Sequence, residues 1–351
     1  MKEHWPARLP RDNGHNGECP DSLLRCDLHG SLWNTSFTNP QSCPKTVPCV
    51  NRDRMAQSLA ADVLLNSGRK PYESKLLWCP VPEQPILTSK QPGPRNMSGN
   101  DLFGLSNKTI LVTGGTRGIG QAISVRFARA GATVIANYLR NEKAAEHVKA
   151  IAAEEGLSVA LLRADLTTES GLEQLDRAIE EQGPHLSGLV HCAATGVHRP
   201  IEELTERHFE WTFSLNVLAF FKLIKILLPR FSKGSSIVAV SSWGALRALP
   251  RYSLVGSSKG ALEALARHLA LELAPRGIRV NILTAGAVLT DAWKVIPDGE
   301  ARIAESIRRT PAGRLVTAEE VAYGAQFLCS EAASGIIGQT LVLDGGTGIV
   351  A

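Results

Sequence analysis

A phenol and an amine lie seven residues apart in Tyr252-Ser253-Leu254-Val255-Gly256-Ser257-Ser258-Lys259. Along a helix, seven residues turn the chain by about 700° and raise it by about 10 Å. The two side chains would then share a face and reach into one cleft. Such a pair could donate a proton from the phenol beside the positive charge of the ammonium. Tyrosine and lysine at this spacing are common in helices, so the pair gains its meaning from a second pattern far upstream.

That pattern is Thr113-Gly114-Gly115-Thr116-Arg117-Gly118-Ile119-Gly120. The apolar run Lys108-Thr109-Ile110-Leu111-Val112 before it suits a buried parallel strand, and Gln121 to Ala128 after it suits a helix. Strand, glycine turn and helix form the setting in which a backbone approaches a dinucleotide pyrophosphate. The helix start adds free N–H groups and the positive end of the helix dipole.

The next strand, Thr133-Val134-Ile135-Ala136-Asn137, ends without the carboxylate that would bind a free ribose 2′-hydroxyl. Tyr138-Leu139-Arg140 follows, and Arg117 stands inside the glycine turn. Two guanidinium groups suit a 2′-phosphate, so NADPH is the expected cofactor. Arg140 also fits a solvated charge at a helix start. Asp165, after Val159-Ala160-Leu161-Leu162, fits either a bond to the adenine amine or a turn.

In order come the strand, the glycine turn, Asp165, a strand ending His191-Cys192-Ala193-Ala194, Asn216, Ser242 and the Tyr252/Lys259 pair. Over about 106–351 the chain thereby resembles the short-chain dehydrogenase/reductase family. The resemblance implies a single α/β domain, a doubly wound parallel sheet of the Rossmann type, with strand order 3-2-1-4-5-6-7. It implies cofactor contacts at Gly114, Thr116, Arg117, Gly118, Ile119, Gly120, Tyr138, Arg140, Asp165, Leu166, Ala193, Ala194, Gly286 and Thr290. It further implies that Lys259 bonds the nicotinamide ribose, that Gly338-Gln339-Thr340 to Asp344-Gly345-Gly346 forms the last strand and turn, and that the enzyme is a cytoplasmic homo-oligomer, dimer or tetramer. Independently, the buried-type strands Gly188-Leu189-Val190, Ser236 to Val240 and Val280 to Leu283 alternate with amphipathic stretches such as Ala261 to Ala274.

The departures from the family carry the most information. Its common pattern places a tyrosine four residues before the lysine and a serine thirteen before that tyrosine. Here those positions hold Val255, which has no proton to give, and Ser242; Tyr252 stands three residues earlier. The displaced spacing resembles the enoyl reductases of the family, most closely the bacterial enoyl-acyl-carrier-protein reductase III type. Similar stretches are Ala193 to Val197 with Arg199-Pro200, Ala261 to Leu265, Thr290-Asp291-Ala292 and Thr310 to Arg314. A physical reason fits. In an enoyl thioester hydride goes to C3 while charge develops on the thioester oxygen at C1, so the stabilising hydroxyl belongs about one helical turn, about 5 Å, farther from the nicotinamide.

The expected catalytic set is Tyr252, Lys259, Ser242 and Asn216. Ser242 fits a catalytic or a structural hydroxyl, and Asn216, within a helix over Trp211 to Leu228, fits a group that maintains site geometry. His191 and Cys192 replace the family's usual asparagine pair, and Cys192 suits an inert core thiol. The substrate would be an enoyl group on acyl carrier protein or coenzyme A, in fatty acid biosynthesis; exposed arginines such as Arg247, Arg251, Arg308 and Arg309 could meet an acidic carrier. The alternatives are a 3-oxoacyl or other carbonyl reductase, and a cofactor-binding scaffold without turnover.

A net charge of +4 on 351 residues is too mild to argue for nucleic acid, and no run of 18 apolar residues suggests a membrane span. Residues 1–96 differ in character. They hold five of the seven cysteines and twelve of the nineteen prolines, with little periodicity outside Arg54 to Leu65. Gaps of six, sixteen, five and twenty-nine residues between those cysteines lack a zinc knuckle, so no metal is expected. Nothing there resembles a secretory or transit signal. A poorly ordered, dispensable extension is the expectation, with Met97 an alternative start.

Overall fold

The structure, a computed structural model, describes residues 102–183, 185–290 and 299–350. The expectations for residues 1–96, and the matched stretch at Asp291-Ala292, lie outside the described residues.

Seven strands form one parallel sheet: β1 (Thr109–Thr113), β2 (Thr133–Tyr138), β3 (Val159–Arg163), β4 (Leu186–His191), β5 (Phe231–Ser242), β6 (Arg279–Ala285) and β7 (Thr340–Leu343), ordered β3-β2-β1-β4-β5-β6-β7. This is the expected doubly wound α/β fold. The strands are nearly continuous apolar runs because both faces are covered, and their residues alternate between two cores. Leu111, Ile135, Ile237 and Ile282 face one core, with Leu175 of α3 (Glu169–Gln182), Leu223 of α5 (Ala219–Leu227) and Leu262 of α6 (Ser253–Leu273). Val112, Val134, Val238 and Leu283 face the other, with Phe127 of α1 (Gly118–Arg129) and Val321 of α8 (Ala318–Cys329). The remaining helices are α2 (Glu142–Glu155), α4 (Glu206–Phe213) and α7 (Gly299–Arg309).

Sheet order reverses at β1, which pairs with β2 on one side and β4 on the other. The crevice beyond the C-terminal ends of β1 and β4 is the natural ligand site of such a sheet.

Two local expectations change. The helix expected over Trp211 to Leu228 is α4 and α5 joined by a π-turn, Ser214–Leu218, which contains Asn216. Tyr252, expected within a helix, is its N-cap residue with φ −123° and ψ 12°. Its carbonyl accepts Gly256 N at 2.7 Å, starting α6, but its own dihedrals are not helical, so the seven-residue rotation argument does not position its ring.

Candidate active site

The glycine turn closes β1 and opens α1. Gly114 has φ +64°, and a Cβ on Gly120 would lie 2.1 Å from the Gly114 carbonyl oxygen, so only glycine permits this tight approach. Arg117 is the N-cap of α1 with no side-chain cap bond, and no acidic residue stands in the first turn. By contrast Asn141, Thr168 and Thr317 cap α2, α3 and α8 with their side chains. The first N–H groups of α1 are thus left for a ligand, where an anion gains both bonds and dipole. Gly118 lies against Thr290, and Ile119 is half-buried in the same turn. Thr116 and Leu166 are buried, Tyr138 is half-buried at the end of β2, and Gly286 packs on Asp344.

Arg117 and Arg140 are both exposed, and neither guanidinium meets a carboxylate among the described residues. Asp165 uses one oxygen, Oδ1, to accept Thr167 N at 2.9 Å and the Thr167 hydroxyl at 2.6 Å. The turn reading is realised on that oxygen, and Oδ2 is left over. Asn137, at the place of the missing carboxylate, is buried and donates to Ala164 O at 3.1 Å, bracing the β2 and β3 ends together.

Across the crevice, Thr113 does work that the sequence reading did not assign. Its Oγ1 accepts Cys192 N and Ala193 N, both at 3.1 Å, which holds the turn after β4 against the glycine turn. Ala194 follows and is exposed. With both acceptor positions used, the Thr113 hydroxyl donates its proton to His191 Nδ1 at 3.1 Å, which assigns the imidazole its Nε2–H tautomer. His191 is fully buried, and burial, with Lys259 as a lesser cause, holds its pKa down at about 3. It is a neutral structural ring, packed on Phe220. The Cys192 thiol is pushed up to about 11 by burial, as an inert thiol requires.

Asn216 is fully buried. Its Oδ1 accepts Thr195 N at 2.8 Å, and its Nδ2 donates to Thr195 O and to Ser258 Oγ, both at 2.9 Å. It clamps the loop after β4 to α6, one residue before Lys259. Ser258, which donates onward to Val255 O, was not singled out from sequence although it adjoins the lysine.

The remaining groups meet at the end of β5. The Ser242 and Tyr252 hydroxyls lie 3.3 Å apart. The Tyr252 ring rests on Gly244, where a Cβ would stand 2.4 Å from it, and meets the edge of His198 at a centroid distance of 5.0 Å. Burial raises the Tyr252 pKa while the Ser242 bond draws it down, so the phenol keeps its proton at neutral pH. Lys259, only 6% exposed, donates to Val240 O at 2.7 Å, and burial lowers its pKa to about 8. Val255 is buried and faces Gly196.

A Rossmann sheet, an uncapped glycine turn at its switch point and a hydroxyl–lysine cluster beyond β5 have counterparts in known proteins. Residues 114–348 match the family model described as Enoyl-(Acyl carrier protein) reductase. The chain belongs to the short-chain dehydrogenase/reductase family. The 1-cyclohexenylcarbonyl-CoA reductase of Streptomyces collinus is 34% identical over 243 residues, 69% of this chain and 87% of that protein. A solved structure of 7α-hydroxysteroid dehydrogenase with NADH and 7-oxo glycochenodeoxycholic acid is similar at a TM-score of 0.66 and 34% identity, over 71% of this chain and 98% of that one. Gluconate 5-dehydrogenase from Burkholderia cenocepacia J2315, with NADP and tartrate, gives a TM-score of 0.67 and 26% identity, over 72% and 100%. As a short-chain dehydrogenase/reductase the protein is an oxidoreductase using a nicotinamide cofactor. No helix among the described residues is long and apolar enough to cross a membrane, and no group of residues there is arranged to hold a metal ion.

Proposed function

We propose that the protein reduces the C2–C3 double bond of a trans-2-enoyl thioester with NADPH, the thioester being carried by acyl carrier protein or coenzyme A. The observation that carries this reading is the buried Val255 at the family's usual tyrosine position, with the phenol supplied instead by Tyr252 from before the helix. When bound, the nicotinamide would supply the hydride that C3 receives. The Tyr252 hydroxyl would donate a hydrogen bond to the thioester oxygen on which charge develops, and C2 would take its proton from water, so that one hydride and one proton are added in all. Lys259 holds positive charge beside the cofactor ribose, Ser242 orients the phenol, and Asn216 keeps α6 in register with the loop after β4. Arg117 and Arg140 take the 2′-phosphate, Asp165 the adenine amine through its unused oxygen, and Gly114, Ala193 and Ala194 line the crevice. The match to an enoyl reductase model and the likeness to a cyclohexenylcarbonyl-CoA reductase support the reading.

The 3.3 Å contact of Ser242 with Tyr252 favours a second reading, a carbonyl reductase in which this pair acts on a ketone oxygen. One experiment separates them. Full-length protein is assayed for oxidation of NADPH and of NADH with crotonyl and longer enoyl thioesters, and with acetoacetyl thioester. Faster turnover of the enoyl substrates with NADPH is expected. Preference for the ketoester reverses the assignment, and preference for NADH removes the phosphate role of the arginines.

The enzyme forms homo-oligomers through α4 and α5, where Phe209, Trp211, Leu218 and Phe221 are each more than 40% exposed. Phe209, Leu218 and Phe221 line an apolar groove with Val217 and Leu265.

A further inference from the structure

Asp344, the residue after β7, brings three donors from two segments onto one carboxylate. Its Oδ1 accepts Gly346 N at 2.8 Å. Its Oδ2 accepts Gly348 N at 2.6 Å and the indole Nε1–H of Trp243 at 2.8 Å. Trp243 follows Ser242 and precedes Gly244, the residue on which the Tyr252 ring rests. The indole packs on Gly348, and Arg247, stacked at 5.0 Å over that indole, donates to the Gly348 carbonyl. On the other side the Thr347 and Thr310 hydroxyls meet at 3.1 Å, and Gly346 packs on Pro311, in the turn that leaves α7.

We propose that Asp344 and Trp243 are positioning residues: the indole–carboxylate bond fixes the 243–245 turn beneath Tyr252, aligns the phenol with Ser242, and links that alignment to the base of α7. Neither side chain touches the reacting atoms. Their influence runs through backbone, from Trp243 to Ser242 on one side and to Gly244 on the other. The Ser242–Tyr252 contact is already at the long end for two hydroxyls, so a further displacement of an ångström breaks it. Errors of that size in a reacting group lower turnover steeply. A merely structural tie predicts something else, a loss of folding stability without selective loss of turnover.

The test uses full-length Trp243→Phe, which keeps an aromatic ring but loses the N–H, Asp344→Asn, which keeps shape but loses charge, and the double variant. Turnover is followed on whichever class wild type reduces, enoyl thioester or ketone, so an error in the substrate reading changes the reagent and leaves this comparison intact. Each single variant is expected to lower kcat about ten- to a hundredfold with the cofactor KM within about twofold of wild type. Asp344→Asn also disturbs the Gly346 and Gly348 bonds, but the two variants share the one indole–carboxylate bond, so the double variant should lose clearly less than the product of the single losses. Unchanged kcat, multiplicative losses, or a cofactor KM rising in step with the fall in kcat overturns the proposal. Where Asp344→Asn fails to fold, Trp243→Phe alone decides.

Discussion

Lys259 shows how one buried charge can set a working pH range. Its amine lies in a site dry enough to lower its pKa to about 8, against partial compensation from Cys192 and Glu263. The lowered value means that the folded protein gives up this proton while a solvated lysine would still hold it. If the ammonium is the working form, kcat/KM falls as pH rises through about 8, since that ratio reports the free enzyme. Lys259→Arg should lower activity yet flatten that alkaline limb, because guanidinium does not titrate there. A limb that persists unchanged in Lys259→Arg assigns the titration to another group. Tyr252, Lys259 and Ser242 could be put forward from the sequence because donor, ammonium and hydroxyl are chemical types in a known order, and Ser242 and Tyr252 do meet in the fold. The role of Thr113 was not: a threonine at a strand end is ordinary until the strand beside it is known, and β4 lies 78 residues away.

At the scale of elements, the site depends on two irregularities that periodicity could not reveal. The apolar spacing through Trp211 to Leu228 fits one continuous helix, and a π-turn adds a residue without interrupting that apolar face. The start of α6 was likewise hidden, since Tyr252 has no capping side chain to announce it. Asn216 explains why the π-turn persists, as its amide satisfies both backbone groups of Thr195 and the Ser258 hydroxyl at once. Asn216→Leu fills similar volume but leaves the Thr195 N–H and C=O without their partner, while Ser258 keeps its bond to Val255 O, at a cost on the order of 2–4 kcal/mol. In a domain of this size that is a fall in Tm of about 5–15 °C, measurable by calorimetry with and without cofactor. A Tm within about two degrees of wild type would mean that water replaces the amide and the clamp is dispensable.

For the whole molecule, the same alternation that specifies the sheet also accounts for what remains exposed. Two-sided burial was legible because parallel strands read as unbroken apolar runs; the strand order came only through the family resemblance that the glycine turn and the Tyr252/Lys259 pair carry. Surface apolar residues carry no such signature, since a helix facing a core and a helix facing another copy have the same pattern. The structure separates the two cases. Phe220, Leu223 and Ile224 of α5 are buried within the chain, whereas Phe209, Trp211, Leu218 and Phe221 stand open on the continuous run of α4, the π-turn and α5. Together they exceed the scattered exposure usual in a monomer. Light scattering should therefore give full-length protein a mass that is a multiple of 37.7 kDa. Phe209→Asp with Phe221→Asp places two carboxylates in that face and should shift the mass to one chain, while far-UV circular dichroism stays native. Neither residue contacts the Tyr252 cluster in the chain, so cofactor binding should survive in the monomer. A wild type already monomeric at micromolar concentration, or a double variant that keeps its assembly, would remove α4 and α5 from the interface.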